Sequence, residues 1–179
     1  MPGMTRPEFA TLTLSYLEEV TAYARSLSRS EWDADDLVQA AYEHAFRKWR
    51  GLREPARCRA WLFRIARNLH VDRVRARSAR AEIHLVEPSS HATPEPVVSA
   101  ETVERLTARE LQNALERLPE EQRQAVLLSD LWGFRYDEIV EIMNTPIGTV
   151  RSRISRGRTM LVRFLAGSAR HESKFRGRP

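Results

Sequence analysis

Residues Thr145 to Arg158 read TPIGTVRSRISRGR, directly behind a short amphipathic segment from Tyr136 to Met143. The two stretches together are expected to form a helix-turn-helix. Asn144 suits the turn, Thr145 is an acceptor for the orphan N–H groups of a helix start, and Pro146 fits the first helical position. At roughly 100° per residue, Ile147, Val150, Ile154, Leu161 and Leu165 share one side of the second helix. Thr149, Ser152, Ser155, Arg156 and Arg163 point the other way, with Arg151, Arg153 and Arg158 on the flanks. No carboxylate occurs from Pro146 through Arg170. Solvated helices ordinarily mix both signs of charge, so an arginine-only face implies an acidic partner, and DNA phosphates fit that requirement.

Charge elsewhere is distributed in blocks. The chain has 179 residues and a formal net charge of +5. Arg57 through Arg80 is basic, Glu82 through Glu104 acidic, and Asn144 onward basic again, which suggests two separate nucleic-acid contacts. Cys58 is the only cysteine, so neither an intramolecular disulfide nor a cysteine-rich zinc site can form. His44, His70, His84, His91 and His171 lack metal-ligand spacing, and no metal or other cofactor is expected. The opening MPGMTRPEF has no secretory apolar core, and no apolar run approaches the roughly 18 residues of a membrane span. A cytoplasmic protein without direct membrane insertion is expected.

Apolar spacing of three and four residues recurs while period-two alternation is nearly absent, which predicts an all-α chain of six or seven helices. A first helix is expected from Pro7 to Ser28, broken by Ser28, Arg29 and Ser30. The second opens at Asp33, with Leu37, Ala41, Ala45 and Trp49 on one stripe and Val38, Tyr42 and Phe46 widening it. Its other face carries Asp36, Gln39, Glu43 and Arg47, which spacing alone leaves open as a solvated or a docking surface. The third, Arg59 to Arg80, has Trp61, Ile65 and Leu69 inward, surrounded by Arg64, Arg67, Asn68, Arg73, Arg75 and Arg77. Asn68, an amide in a cationic helix, is either a packing group or one suited to a base edge.

The proline- and serine-containing stretch EPSSHATPEPVVS reads as an interdomain linker. Helical spacing resumes near Glu101, with Leu106, Leu111, Ala114, Leu115 and Leu118 leading into Pro119. Pro119 starts a helix through Val126, Leu127, Leu128 and Leu131, and Gly133 ends it. The organisation expected is therefore two small helical domains, residues 1–80 and 102–168, joined by an acidic linker over 81–101 and followed by a basic tail over 169–179.

Three motifs in this order resemble the extracytoplasmic-function group of bacterial sigma factors, within the sigma-seventy family. DADDLVQAAYEHAFRKW, Asp33 to Trp49, is similar to the family's polymerase-binding helix. WLFRIARNLHVD, Trp61 to Asp72, resembles its promoter-melting helix. LERLPEEQRQAVLLSDLWGFRYDEIVEIMNTPIGTVRSRISRGR resembles its promoter-reading domain. The resemblance implies that Asp36, Gln39 and Glu43 dock on the clamp helices of the largest subunit of core RNA polymerase. It places Asn68 at an unstacked minus-ten base, with Arg64, Arg67 and Arg73 on promoter DNA phosphates and the loop Gly51 to Arg57 shaping the pocket. It places Arg151, Ser152, Ser155 and Arg156 at the minus-thirty-five element beside Thr149, with Arg153 and Arg158 positioning the helix on phosphates. An anti-sigma protein is an expected further partner, and a stress or envelope response the expected setting. The acidic linker, with Glu82, Glu87, Glu95 and Glu101, fits either a self-repelling tether or a segment lying in a cationic polymerase channel.

Three positions depart from the family pattern: Ala40 where an acidic residue is usual, Arg135 at a helix start that usually has a small cap, and Val140 in place of an alanine. The main rival reading is an autonomous operator-binding regulator that dimerises through its N-terminal half. That reading leaves the N-terminal motifs unexplained. No nucleophile and base pairing, phosphate-cradling glycine loop or metal cluster is present, so an enzyme is not expected, and the Asp35 and Asp36 pair fits helix-start electrostatics and docking.

Overall fold

The computed structural model describes residues 4–28, 30–81 and 108–175. Every regular element among the described residues is helical. The α-helices are α1 (Arg6–Leu14), α2 (Leu17–Leu27), α3 (Glu31–Lys48), α4 (Cys58–Ala81), α5 (Ala108–Glu116), α6 (Glu120–Val126), α7 (Tyr136–Met143) and α8 (Ile147–Phe175). Contacts group the chain into two compact units, Met1–Glu87 with Glu138–Asn144, and Pro88–Asp137 with Thr145–Pro179. The expected acidic linker lies outside the described residues from position 82, as does the helical spacing between Glu101 and Leu106.

The single helix expected over Pro7 to Ser28 is two helices. Thr13 explains the break. Its carbonyl accepts the Tyr16 N–H at 3.1 Å and the Tyr42 hydroxyl at 2.9 Å, while its own hydroxyl donates to the Phe9 carbonyl at 2.9 Å. A helix ladder interrupted by a hydroxyl from another element ends there. Burial pushes the Tyr42 phenol up to about 12, so the neutral donor form is held.

The N-terminal unit closes around Phe9, Val20, Tyr23, Leu27, Leu37, Leu62 and Phe63, all buried. Tyr23 stacks on Phe63 with centroids 4.6 Å apart, and Phe9 meets the edges of Phe46 and Trp61 at 5.6 and 6.0 Å. Truncating one of the fully buried side chains, such as Leu37, costs about 2–5 kcal/mol by the usual cavity argument. Helix α3 begins two residues before the expected Asp33. Ser30 caps it by accepting the Asp33 N–H at 3.1 Å. Arg77 of α4 donates to Asp33 at 2.8 Å and lowers its carboxyl below the ordinary value, aided by Ser30. Arg73 donates to the Asp36 carbonyl at 3.1 Å, so two arginines of α4 tie it to the first turns of α3.

In the C-terminal unit, α6 widens into a π-turn over Leu127–Leu131. Gly133 at φ +65° then reverses the chain, and the Phe134 N–H reaches back to the Leu128 carbonyl at 2.9 Å, a Schellman-type stop. The extra residue in the π-turn shifts the apolar register. Leu128 is fully buried, whereas Leu131, three residues on in the same expected helix, is 67% exposed.

Helix α8 crosses α6 closely at Gly157. A methyl group there would lie 2.6 Å from Val126 Cγ2 and 3.2 Å from the Gln122 carbonyl oxygen, so the absence of a side chain permits the approach. Val150, Ile154 and Leu165 are buried as their spacing predicts, but Ile147, in the first turn, is 45% exposed. The helix runs to Phe175, past the expected start of the tail. Residues 176–179 lie outside the described residues.

Candidate nucleic-acid interface

The residues expected to contact DNA fall on two stretches of surface, one in each unit. On α8 the first turns present Arg151, Ser155 and Arg156 exposed, with Thr149 and Ser152 half-buried beside them. The Pro146 carbonyl accepts the Thr149 and Val150 N–H groups at 2.9 and 3.0 Å, so the helix starts at Ile147, one residue after the expected first helical position at Pro146. Asn144, at φ +49°, makes the left-handed turn between α7 and α8, a conformation asparagine adopts more readily than most residues.

The flanking arginines are held. Arg153 donates to the Thr145 hydroxyl at 3.2 Å and pairs with Glu121 of α6 at 2.8 Å. Arg158 embraces Asp130 through Nε at 2.9 Å and Nη2 at 2.5 Å, and also reaches the Ser129 hydroxyl at 3.3 Å. Both pairs tie α8 to the α6 segment and thereby orient the face that carries Arg151 and Arg156.

In the N-terminal unit, Asn68 is exposed on α4. It lines a hollow shared with Arg47, Lys48, Trp49, Trp61 and Arg64. Cationic and aromatic groups around an amide suit a nucleobase: the rings offer stacking surface, the cations meet phosphate, and the amide can bond a base edge. Of the loop Gly51 to Arg57, Gly51 lines this hollow. Spacing alone assigned Trp49 and Trp61 to the core. Their large rings do both jobs, touching Phe9 on one side while lining the hollow on the other. Arg47 and Lys48 were not among the expected DNA contacts; they lie at the end of α3, where Arg47 continues the polar face of Asp36, Gln39 and Glu43.

Two predicted phosphate contacts lie elsewhere. Arg67 is only 6% exposed, so the structure places it inside the unit and away from the cationic surface. Arg73 is half-buried and engaged with the Asp36 carbonyl, which makes it a tie between α4 and α3.

Asp36, Gln39 and Glu43 are all exposed along α3. Gln39 donates to Glu43 at 3.1 Å, and Arg47 pairs with the same carboxylate at 3.0 Å, which keeps the row ordered. Among the described residues no group of histidines, cysteines and carboxylates has metal-binding arrangement, and no helix is long and apolar enough to cross a membrane.

Comparison with known proteins reports on both units. Residues 12–80 match the family description for sigma-70 region 2, and residues 108–161 match that for sigma-70 region 4. The chain is 37% identical over 165 residues to the ECF RNA polymerase sigma factor SigE of Mycolicibacterium smegmatis, covering 89% of this chain and 62% of that protein. It is 36% identical over 160 residues to the ECF RNA polymerase sigma factor SigM of Mycobacterium tuberculosis, covering 89% of this chain and 78% of that protein. A similar solved structure is the sigma factor RpoE of Bartonella quintana in complex with the anti-sigma factor NepR. It has a TM-score of 0.70 and 29% identity, and the match covers 89% of this chain and 97% of that one.

Proposed function

Because this chain belongs to the extracytoplasmic-function sigma factors of the sigma-70 family, we propose that it binds core RNA polymerase and directs promoter recognition, melting and transcription initiation. The setting proposed is a stress or envelope response in the cytoplasm. Its work is recruitment and not catalysis. The observation that carries the reading is the setting of Asn68, an exposed amide lining a hollow with Trp49, Trp61, Arg47, Lys48, Arg50 and Arg64, all of them within the residues that match region 2.

Asp36, Gln39 and Glu43 are the proposed docking row for the clamp helices of the largest polymerase subunit. Once docked, Asn68 receives an extruded minus-ten base, and stacking on the tryptophans offsets the few kcal/mol that unstacking costs. Arg64, with Arg47 and Lys48, supplies positive charge for the backbone. Arg151 and Arg156 read the minus-thirty-five element, where one bidentate arginine–guanine contact is worth about 1–3 kcal/mol. Thr149, Ser152 and Ser155 let the helix approach closely, and Arg153 and Arg158 set its orientation.

The domain limits proposed remain 1–80 and 102–168, joined by the acidic segment and followed by the tail. The family match over 108–161 supports treating α7 and α8 as one reading module. The presence of an anti-sigma protein in the similar solved complex supports proposing such a partner here. Size-exclusion chromatography of the purified chain with core polymerase tests the docking step. Co-elution is expected; separate elution, combined with tight binding of a palindromic duplex by the chain alone, favours the autonomous regulator.

A further inference from the structure

Trp32 is 84% exposed at the start of α3. An indole in water is unfavourable for the free chain, and the fold makes no use of this one, because Ala34, Leu37, Ala41 and Ala45 form the buried side of α3. Its position on the helix gives it meaning. Residues 32, 36, 39 and 43 are spaced by four, three and four, so Trp32 stands on the same face as Asp36, Gln39 and Glu43 and extends that row by one turn toward the N-terminus. A row at this spacing is what a packed partner helix meets along a coiled-coil seam. The row is acidic in its middle and apolar at its end. A complementary partner therefore presents basic side chains beside an apolar ledge.

We propose that Trp32 is the apolar anchor of the polymerase-docking row, seated against the clamp coiled coil of the largest subunit; this inference rests on the docking assignment of Asp36, Gln39 and Glu43. Carboxylates at a solvated interface contribute mainly steering and register, whereas a tryptophan desolvated at the edge of the same patch supplies affinity. Trp32 thus slows dissociation, and the acidic row brings the two surfaces together in register.

The test uses the full chain and intact core polymerase. Trp32→Ala is expected to weaken core binding by about tenfold or more, the size typical of a tryptophan hot spot, and Trp32→Phe to retain most of the affinity. The exposed position means that both variants fold, which circular dichroism verifies. In a second measurement the four tryptophans are labelled as 5-fluorotryptophan. The fluorine resonance absent from Trp32→Phe should shift or broaden when unlabelled core is added. Unchanged affinity in Trp32→Ala, or a Trp32 resonance indifferent to core, overturns the proposal while leaving the docking row intact. A loss confined to binding of an anti-sigma protein overturns it too. Failure of the unmodified chain to bind core removes the docking assignment itself, an outcome distinguishable because it precedes any substitution.

Discussion

Arg158 of α8 holds both carboxylate oxygens of Asp130, at 2.9 Å from Nε and 2.5 Å from Nη2. The pair joins α8 to the π-turn that ends the α6 segment, so a charge contact between residues 28 apart sets the angle at which the arginine face is presented. Bidentate geometry gives direction as well as attraction. The partners are 50% and 39% exposed, so solvent screening limits the pair to about 1 kcal/mol or less.

The first prediction follows from the sign of that coupling. Hydrogen bonding from Arg158 lowers the Asp130 carboxyl below its ordinary 3.8. The folded state therefore binds this proton less readily than the unfolded chain. The contribution is present above about pH 4 and is lost as the pH falls through the folded-state value. Asp130→Asn should lower stability modestly at neutral pH and flatten the decline of stability below pH 4. Urea unfolding at a series of pH values checks this; an unaltered acid profile contradicts it.

Gly157→Ala should destabilise the C-terminal unit by about 1–3 kcal/mol through overpacking, even though alanine is the better helix former. The added methyl meets Val126 Cγ2 and the Gln122 carbonyl. Pairing it with Val126→Ala should restore only part of the loss, since the backbone oxygen cannot retreat as a side chain can. Thermal unfolding measures it, with each kcal/mol worth roughly 4–8 °C in a domain of this size. A stabilising effect of Gly157→Ala means that the helices are not in close contact there.

Asn68→Ala should leave core binding intact and impair promoter opening. Permanganate reactivity of unpaired thymines in the holoenzyme complex reports opening, and co-elution reports binding. A fall in both to the same degree contradicts a base-reading role.

Arg156→Ala should weaken discrimination at the minus-thirty-five element by about 1–3 kcal/mol at the base pair it reads. Binding of holoenzyme to upstream variants at fixed salt checks this. Undiminished discrimination removes Arg156 from the readout.

Helices α3, α4 and α8 were legible because each keeps a 3.6-residue apolar repeat over several turns; Pro146 marks the start of α8, as Gly133 marks the stop after the α6 segment. The features that escaped depend on partners distant in sequence. The break after Thr13 needs the hydroxyl of Tyr42, and the exposure of Leu131 needs the π-turn. The small size of residue 157 matters only because α6 passes so near. At the site, Asn68 and the exposed arginines of α8 stood out as residue types in an unusual setting. The burial of Arg67 and the tie from Arg73 to α3 did not, because an arginine in a basic run looks the same whether it faces solvent, a carbonyl or the interior.

The central claim is that the two arginine-bearing modules confer start-site selection on core polymerase. Transcription from a fragmented genomic DNA pool, with core enzyme alone and with core plus this chain, measures it most directly. Discrete transcripts that appear only with the chain present and share upstream elements are predicted. Equal output from the two reactions across the pool, with any inhibitory partner removed, contradicts the account.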